Sequence, residues 1–210
     1  MNKAIVRTIV LALFLPLFLN ATNSILKNDI LKKEVTQRIQ VMGTELLQKT
    51  GVHTYVIATN EAFGVGFNLV EYTKRYEANI SKPYVIFIFA PLAKITQKTE
   101  TRGRVGIIPS SQEVAIFYDY DDVRDAGLDV ISVKDQNLVE DKHNIGVLQA
   151  FSELADNIAS SKNIELTTTI PNDTGTMVFV LKIFIYIGSI LVFWIFILQP
   201  LIMRIKNGKK

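Results

Sequence analysis

Residues 177–203 form an apolar run of 27 positions interrupted by a single charge, Lys182. From Ile183 to Leu198 there is no charge at all. A run this long either crosses a bilayer, which needs about 20 apolar residues, or is buried in a core. A core helix of this length, apolar on every side, is out of scale for a globular domain. The sequence therefore predicts a C-terminal transmembrane helix over 177–203. Lys182 lies near one edge, where its long stem reaches the interface. Tyr186 and Trp194 are membrane-type aromatics within the run. Arg204, Lys206, Lys209 and Lys210 follow directly in the basic tail 204–210, and clustered cations beside a span mark its cytoplasmic side.

The other end has a related layout. Lys3 and Arg7 precede an apolar stretch from Ile9 to Leu19, and Leu19-Asn20-Ala21 ends in a small residue. This is the pattern of a signal peptide over 1–21, too short to span comfortably. An uncleaved anchor is the alternative, and it leaves the topology unchanged because Lys3 and Arg7 stay inside. The bulk of the chain is expected outside the cytoplasm.

That partition changes the meaning of the charge. The chain has 23 basic and 20 acidic residues. Seven of the basic ones are Lys3, Arg7, Lys182, Arg204, Lys206, Lys209 and Lys210, all at the ends. Between Asp29 and Asp173 lie all 20 acidic residues, so the exported part carries 16 basic against 20 acidic side chains, a net charge of −4. The basic pI of the whole chain thus gives no support to nucleic-acid binding. There are no cysteines, which excludes disulfides, thiol chemistry and cysteine-ligated metals. The domain must be stable on its own core.

Within 25–160 the periodicity alternates between helix and strand. "LKNDILKKEVTQRIQVMGTELLQKTG" has Leu31, Val35, Ile39, Met42 and Leu46 at helical spacing, with Asn28 or Asp29 to cap it and Gly51 to end it. "VHTYVIAT" reads as a strand. "NLVEYTKRYEANI" puts Leu69, Tyr72, Tyr76 and Ile80 on one helical face, and Pro83 stops it. "YVIFIFAP" is apolar throughout, as a central strand covered on both faces would be. After the polar loop "LAKITQKTETRG", "RVGIIPS" and "EVAIFYD" read as two more short strands about a turn. "DDVRDAGLDVISV" reads as a short helix with Val123, Leu128 and Ile131 inward. "HNIGVLQAFSELADNIASS" is a second long helix with Ile145, Leu148, Phe151, Leu154, Ala155 and Ile158 as its buried stripe. Strand–helix–strand predicts a right-handed crossover and a parallel pair, hence a compact α/β domain. The Thr- and Ser-rich segment 161–176 reads as a linker.

Familiar catalytic signatures are absent from the sequence: there is no nucleophile elbow, phosphate-binding glycine loop or zinc-protease helix. His53 and His143 stand ninety positions apart and read as surface or capping residues. Ser110 and Ser111 read as turn residues. The one concentrated set of functional groups is "FYDYDDVRDAGLD", with Asp119, Asp121, Asp122, Asp125 and Asp129. Asp119 and Asp121 match the first positions of an EF-hand, but Val123 and Arg124 break the pattern. Two readings remain open. The carboxylates favour a helix N-terminus electrostatically, with Asp119 or Asp121 as cap. Alternatively Asp121, Asp122 and Asp125 hold Ca or Mg.

The ordered pattern resembles the TPM-domain family of small exported α/β domains tethered by a terminal membrane helix. The matching segments are "LKKEVTQRIQVMGTELLQKTGVHTYVIAT", "LVEYTKRY", "PYVIFIFAP", "RVGII" and "VLQAFSELADNIA", over roughly Ile25 to Ala159. The resemblance implies a small mixed sheet flanked by helices. It also implies a glycine-rich turn with a glutamate after a basic-apolar strand, then aspartates near a helix start that can hold a divalent cation. "RVGIIPSSQE" keeps Gly106 and Glu113 without paired glycines, and Asp121, Asp122 and Asp125 fall where the acidic residues are expected. Family members include phosphatases and accessory factors for repair, assembly or regulation of membrane complexes. The expectation is a single-pass inner-membrane protein whose domain faces the periplasm and serves a membrane-protein partner, with a cation-dependent phosphatase as the rival.

Overall fold

An unbroken apolar strand can be stable only between two covering layers, and the central strand of this chain has them. The computed structural model describes residues 23–98, 101–171 and 186–200. Its strands are β1 (Ile25–Asn28), β2 (His53–Ala58), β3 (Tyr84–Lys94) and β4 (Arg102–Pro109), in the order β1-β2-β3-β4. β1 and β3 both run parallel to β2, whereas β4 returns antiparallel to β3. Residues Tyr84 to Ala90 of β3 are all buried. Alternate side chains divide between two cores. Val56, Val85, Phe87, Phe89 and Ile107 face one layer; Tyr55, Ile57, Ile86, Ile88 and Ile108 face the other.

The first layer holds three helices: α1 (Lys33–Thr50), α4 (Tyr120–Ser132) and α5 (Val139–Ser160). The second is thinner, with α2 (Leu69–Thr73) continuing as a 3-10 turn over Lys74–Asn79. α3 (Gln112–Ala115) is a single turn. On α1, Ile39, Met42 and Leu46 are buried, and Gly51 ends the helix with φ of 74°, as the spacing predicts. Its N-terminus is held from α5: Asn144 accepts from Lys32 N (2.7 Å) and donates to Ile30 O (3.4 Å). α4 and α5 pack backbone to backbone, because a Cβ on Gly127 would stand 2.9 Å from Gly146 O, and one on Gly146 2.9 Å from Gly127 O.

Four expectations change. Residues 25–28, which precede or form the expected helix cap at Asn28 or Asp29 and have no element assigned from sequence, form β1, which pairs with β2 on the edge of the sheet. "EVAIFYD" is not a strand: the chain turns into α3, burying Val114, and the next helix begins at once. β4 thus remains an edge, and Tyr120 Oη donates to its Val105 carbonyl (3.2 Å), occupying part of that edge. Leu128 and Ile145 are exposed rather than inward, and Val147 takes the inward position beside Leu148. The segment expected as linker from 161 is tied to the domain as far as Ile170, with Ile164, Leu166 and Ile170 packed on the first core.

The chain divides after Ile170. Beyond it, residues 186–200 are helical, with a π-helical stretch at Trp194–Leu198. Among the described residues no helix is long and apolar enough to cross a membrane. The remainder of the expected span, 177–185 and 201–203, lies outside the described residues. So do the expected signal peptide over 1–21 and the basic tail 204–210.

Candidate functional site

In a parallel α/β sheet the loops leaving the carboxyl ends of the strands gather polar side chains. Here β1 and β2 bring together Lys27, Asp29, Thr59, Asn60 and Glu61, and α2 adds Tyr72. The Lys27 ammonium pairs with Asp29 (3.3 Å) and, more closely, with Glu61. Asp29 accepts from Thr59 Oγ1 (3.0 Å) and Asn60 N (3.2 Å), and its own carbonyl accepts from Asn60 Nδ2 (3.2 Å). Glu61 accepts from the Tyr72 hydroxyl (2.8 Å), and the Arg75 guanidinium lies 4.0 Å above the Tyr72 ring. Phe63 stacks on Phe67 at 4.2 Å between ring centres and meets Tyr72 edge-on, forming the apolar floor.

The electrostatics lock each group in one protonation state. The bond to Glu61 raises the Lys27 ammonium above its ordinary range. Burial would raise Asp29, but its bonds from Thr59 and Asn60 and the nearby Lys27 bring it below the usual value. Lys27, against a smaller burial effect, lowers Glu61. Burial, reinforced by Glu61, pushes the Tyr72 phenol up to about 12. General acid–base work needs a group that exchanges its proton near the working pH. These four shifts all move away from neutrality, so the cluster is built to hold two loops and a helix in register rather than to shuttle protons.

A second carboxylate site was not anticipated. Glu45, on α1, accepts from Thr167 N (2.9 Å), Thr167 Oγ1 (2.9 Å), Thr168 N (2.9 Å) and Thr168 Oγ1 (2.5 Å). Lys49, one helical turn on, pairs with it at 2.8 Å and also donates to Glu165 O (2.8 Å). Ile170 N donates to Ser152 Oγ (2.7 Å), which donates back to Ile170 O (3.1 Å). Residues 164–170 are therefore a strap across α1 and α5. Burial alone would raise the Glu45 carboxyl; Lys49 and the threonines reverse this and bring it to about 2. Asp156 shows the opposite balance: burial raises it, despite a bond from Thr169.

The aspartates predicted as a metal site have local duties. Asp119 is the N-cap of α4, accepting from Asp121 N (2.8 Å) and Asp122 N (3.2 Å). Asp121 pairs with Arg124 at 2.6 Å, and Arg124 pairs in turn with Asp125 at 2.8 Å, with both carboxylates exposed and the arginine half-buried. Asp121 and Asp125 thus converge on a guanidinium, and among the described residues no group of three or more His, Cys, Asp or Glu is placed to hold a metal ion. Asp122 contributes its backbone N–H to the cap. The histidines are not brought together: His53 stacks on Tyr55 (5.9 Å), and His143 meets Phe89 edge-on (5.1 Å). Burial lowers both imidazoles. Ser110 accepts from Tyr84 N (3.0 Å), a turn role. Neither the Glu45 strap nor the Lys27 cluster has a local sequence signal, since the partners stand 122 and 34 positions apart.

Comparison of the chain with protein-family models, with curated proteins and with solved structures yields no match.

Proposed function

We propose that the chain is a membrane-tethered accessory domain that acts by binding a membrane-protein partner at the outer face of the inner membrane, in the periplasm. The observation that carries this reading is the strap. It continues the ordered domain to Ile170 by five bonds to Glu45 and Lys49 and two to Ser152. Only residues 171–176 then separate it from the apolar run at 177. Six residues extend to about 20 Å at most, so a domain followed by so short a linker stays close to its anchor. Tethering raises effective concentration, so that modest affinity for a neighbour suffices.

The helical residues 186–200 expose Tyr186, Phe193, Trp194 and Phe196 around their circumference, which is the surface that lipid covers. With 177–203 as a single span and Arg204 to Lys210 on the cytoplasmic side, the net charge of −4 lies outside. The four-stranded mixed sheet between helical layers supports a TPM-like reading of the fold, and accessory roles are among those the resemblance implies.

Full-length protein extracted from membranes in mild detergent is expected to co-purify with a defined membrane protein. Protease added to intact spheroplasts is expected to digest the domain. A chain recovered alone, with in-membrane cross-linking equally empty, overturns the accessory role; a protected domain overturns the orientation. Phosphate release that is abolished by chelator and by Asp121→Asn/Asp122→Asn would replace this reading with the phosphatase.

A further inference from the structure

The β3–β4 connection combines exposed aliphatic side chains with cations. β3 ends at Lys94, opposite Arg102 of β4, and Ile95 N donates to Thr101 O (3.2 Å) across the turn. Leu92 and Ile95 are 39% and 46% exposed at this tip. The loop 64–66 stands beside it, tied by Lys94 N to Phe63 O (2.9 Å) and by Arg104 to Phe67 O (2.7 Å), and it exposes Val65 by 39%. Lys94, Lys98, Arg102 and Arg104 lie on the same two strand ends and their connection. Among the described residues of 63–68 and 92–104 there is no carboxylate; Glu100 lies outside the described residues. A domain of net charge −4 thus gathers four cations and three exposed aliphatic side chains at one tip.

We propose that this tip docks on an anionic lipid surface, an inference that rests on the membrane-tethered reading above. Cations beside exposed aliphatic residues match such a surface on two counts, since headgroup phosphates attract the lysines while Leu92, Ile95 and Val65 enter the boundary with the acyl chains. A protein partner would satisfy the apolar residues, whereas the excess of cations within 92–104, Lys94, Lys98, Arg102 and Arg104 against the single carboxylate Glu100, favours an anionic surface. The strap points the same way. It follows α1 from Lys49 to Glu45, and the groove lined by Glu34, Gln37, Arg38, Val41 and Thr168 continues that path toward the N-terminus of α1. α1 begins where β1 ends, and β1 runs parallel to β2 and β3. The strap therefore runs toward the end of the sheet at which β1, β2 and β3 terminate, the end that carries the tip.

The chain has no cysteine, so one introduced thiol gives a unique label. Full-length Ile95→Cys, carrying an environment-sensitive fluorophore, is reconstituted into phosphatidylcholine vesicles with or without phosphatidylglycerol, each containing lipid with brominated acyl chains. Glu113→Cys on α3, beyond the opposite end of β4, is the control, with circular dichroism as the check on folding. Quenching at position 95 is expected in the anionic vesicles and not in the neutral ones, and position 113 is expected to stay bright in both. Reversing charge in Lys94→Glu/Lys98→Glu should lower the docked-to-free ratio by at least about fivefold for each lysine. Vesicles that float with the chain while position 95 stays unquenched overturn the docking and leave the tether standing. Quenching indifferent to lipid charge and to both reversals also overturns it. A chain that does not float with vesicles overturns the tether, and this inference with it.

Discussion

Two acidic regions of this protein invite opposite judgements from sequence and from structure. The stretch Asp119–Asp129 concentrates five aspartates in eleven residues, whereas Glu45 stands eleven positions from the nearest other acid in an amphipathic helix, four positions before a lysine. In the fold the five aspartates are exposed, and the duties of their carboxylates stay within a few residues: one cap and one shared arginine. Glu45 is the side chain that reaches across the chain, gathering the backbone and hydroxyls of Thr167 and Thr168. Local charge density reports helix electrostatics; the energetically consequential carboxylate is the one whose desolvation is matched by donors.

The largest expected effect separates the two regions directly. Glu45→Ala removes the acceptor for the two threonines and the partner of Lys49, and should cost about 3 kcal/mol of unfolding free energy, because hydrogen bonds to charged groups are individually worth more than neutral ones. The same measurement on Asp121→Ala should give at most about 0.5 kcal/mol, as expected for an exposed pair. Equal losses from thermal or urea unfolding followed by circular dichroism would erase the contrast.

Acid should act through the same carboxylate. Glu45 is held at about 2 in the fold, against an ordinary 4.5. A depressed carboxyl stabilises the folded state above its unfolded value, and that contribution disappears as pH falls through its folded value. The loss therefore falls between pH 4.5 and pH 2, and amounts to about 2–3 kcal/mol. Lys49 faces Glu45, while Asp156, raised by burial and near Glu153 and Glu45, opposes the trend because protonation relieves it. Glu45→Gln should flatten the stability profile in this window; a profile identical to that of the parent removes Glu45 as the acid-sensitive group.

The legible part of the fold was the part whose packing is written in period. The apolar run of β3, the stripe of Ile39, Met42 and Leu46 on α1, and the parallel pairing of β2 with β3 all followed from alternation and spacing. β1 was not legible because four residues that include Lys27 and Asn28 have no strand pattern of their own; the backbone of β2 makes them a strand. The strap was hidden because Ile164, Leu166 and Ile170 are scattered among threonines, and its donors find Glu45 only after α1 and α5 are packed. Ile145 and Leu128 are not inward because Gly127 and Gly146 bring α4 and α5 so close that the two glycines, with Ile131 packed on Gly146, occupy the seam. Of the candidate site, Asp119 as a cap was legible from composition at a helix start, whereas the Lys27–Glu61–Tyr72 cluster depends on tertiary contact between three elements.

Within the dense region the cap is the carboxylate that should register. Asp119→Ala frees the backbone N–H groups of Asp121 and Asp122 and should destabilise by about 1 kcal/mol, with Asp119→Asn restoring most of it. A loss below that of Asp121→Ala would assign the capping to another group.

The smallest expected effect is the response to calcium. A hard-cation site of the weak extracellular grade, with a dissociation constant near ~10⁻⁴ M, would add about 1.4 kcal/mol of stability at millimolar calcium. That is enough to move a melting curve by roughly 3–5 °C in a domain of this size. Asp121 and Asp125 already share the Arg124 guanidinium, and a cation entering between them must displace it. The melting temperature is therefore expected to change by less than about 1 °C between chelator and millimolar calcium. Arg124→Ala sharpens the test, because it leaves the three carboxylates in place without their counter-charge. If calcium stabilises that variant and not the parent, the arginine is what occupies the cation position; if it stabilises the parent, the dense region is a binding site and the contrast with Glu45 fails.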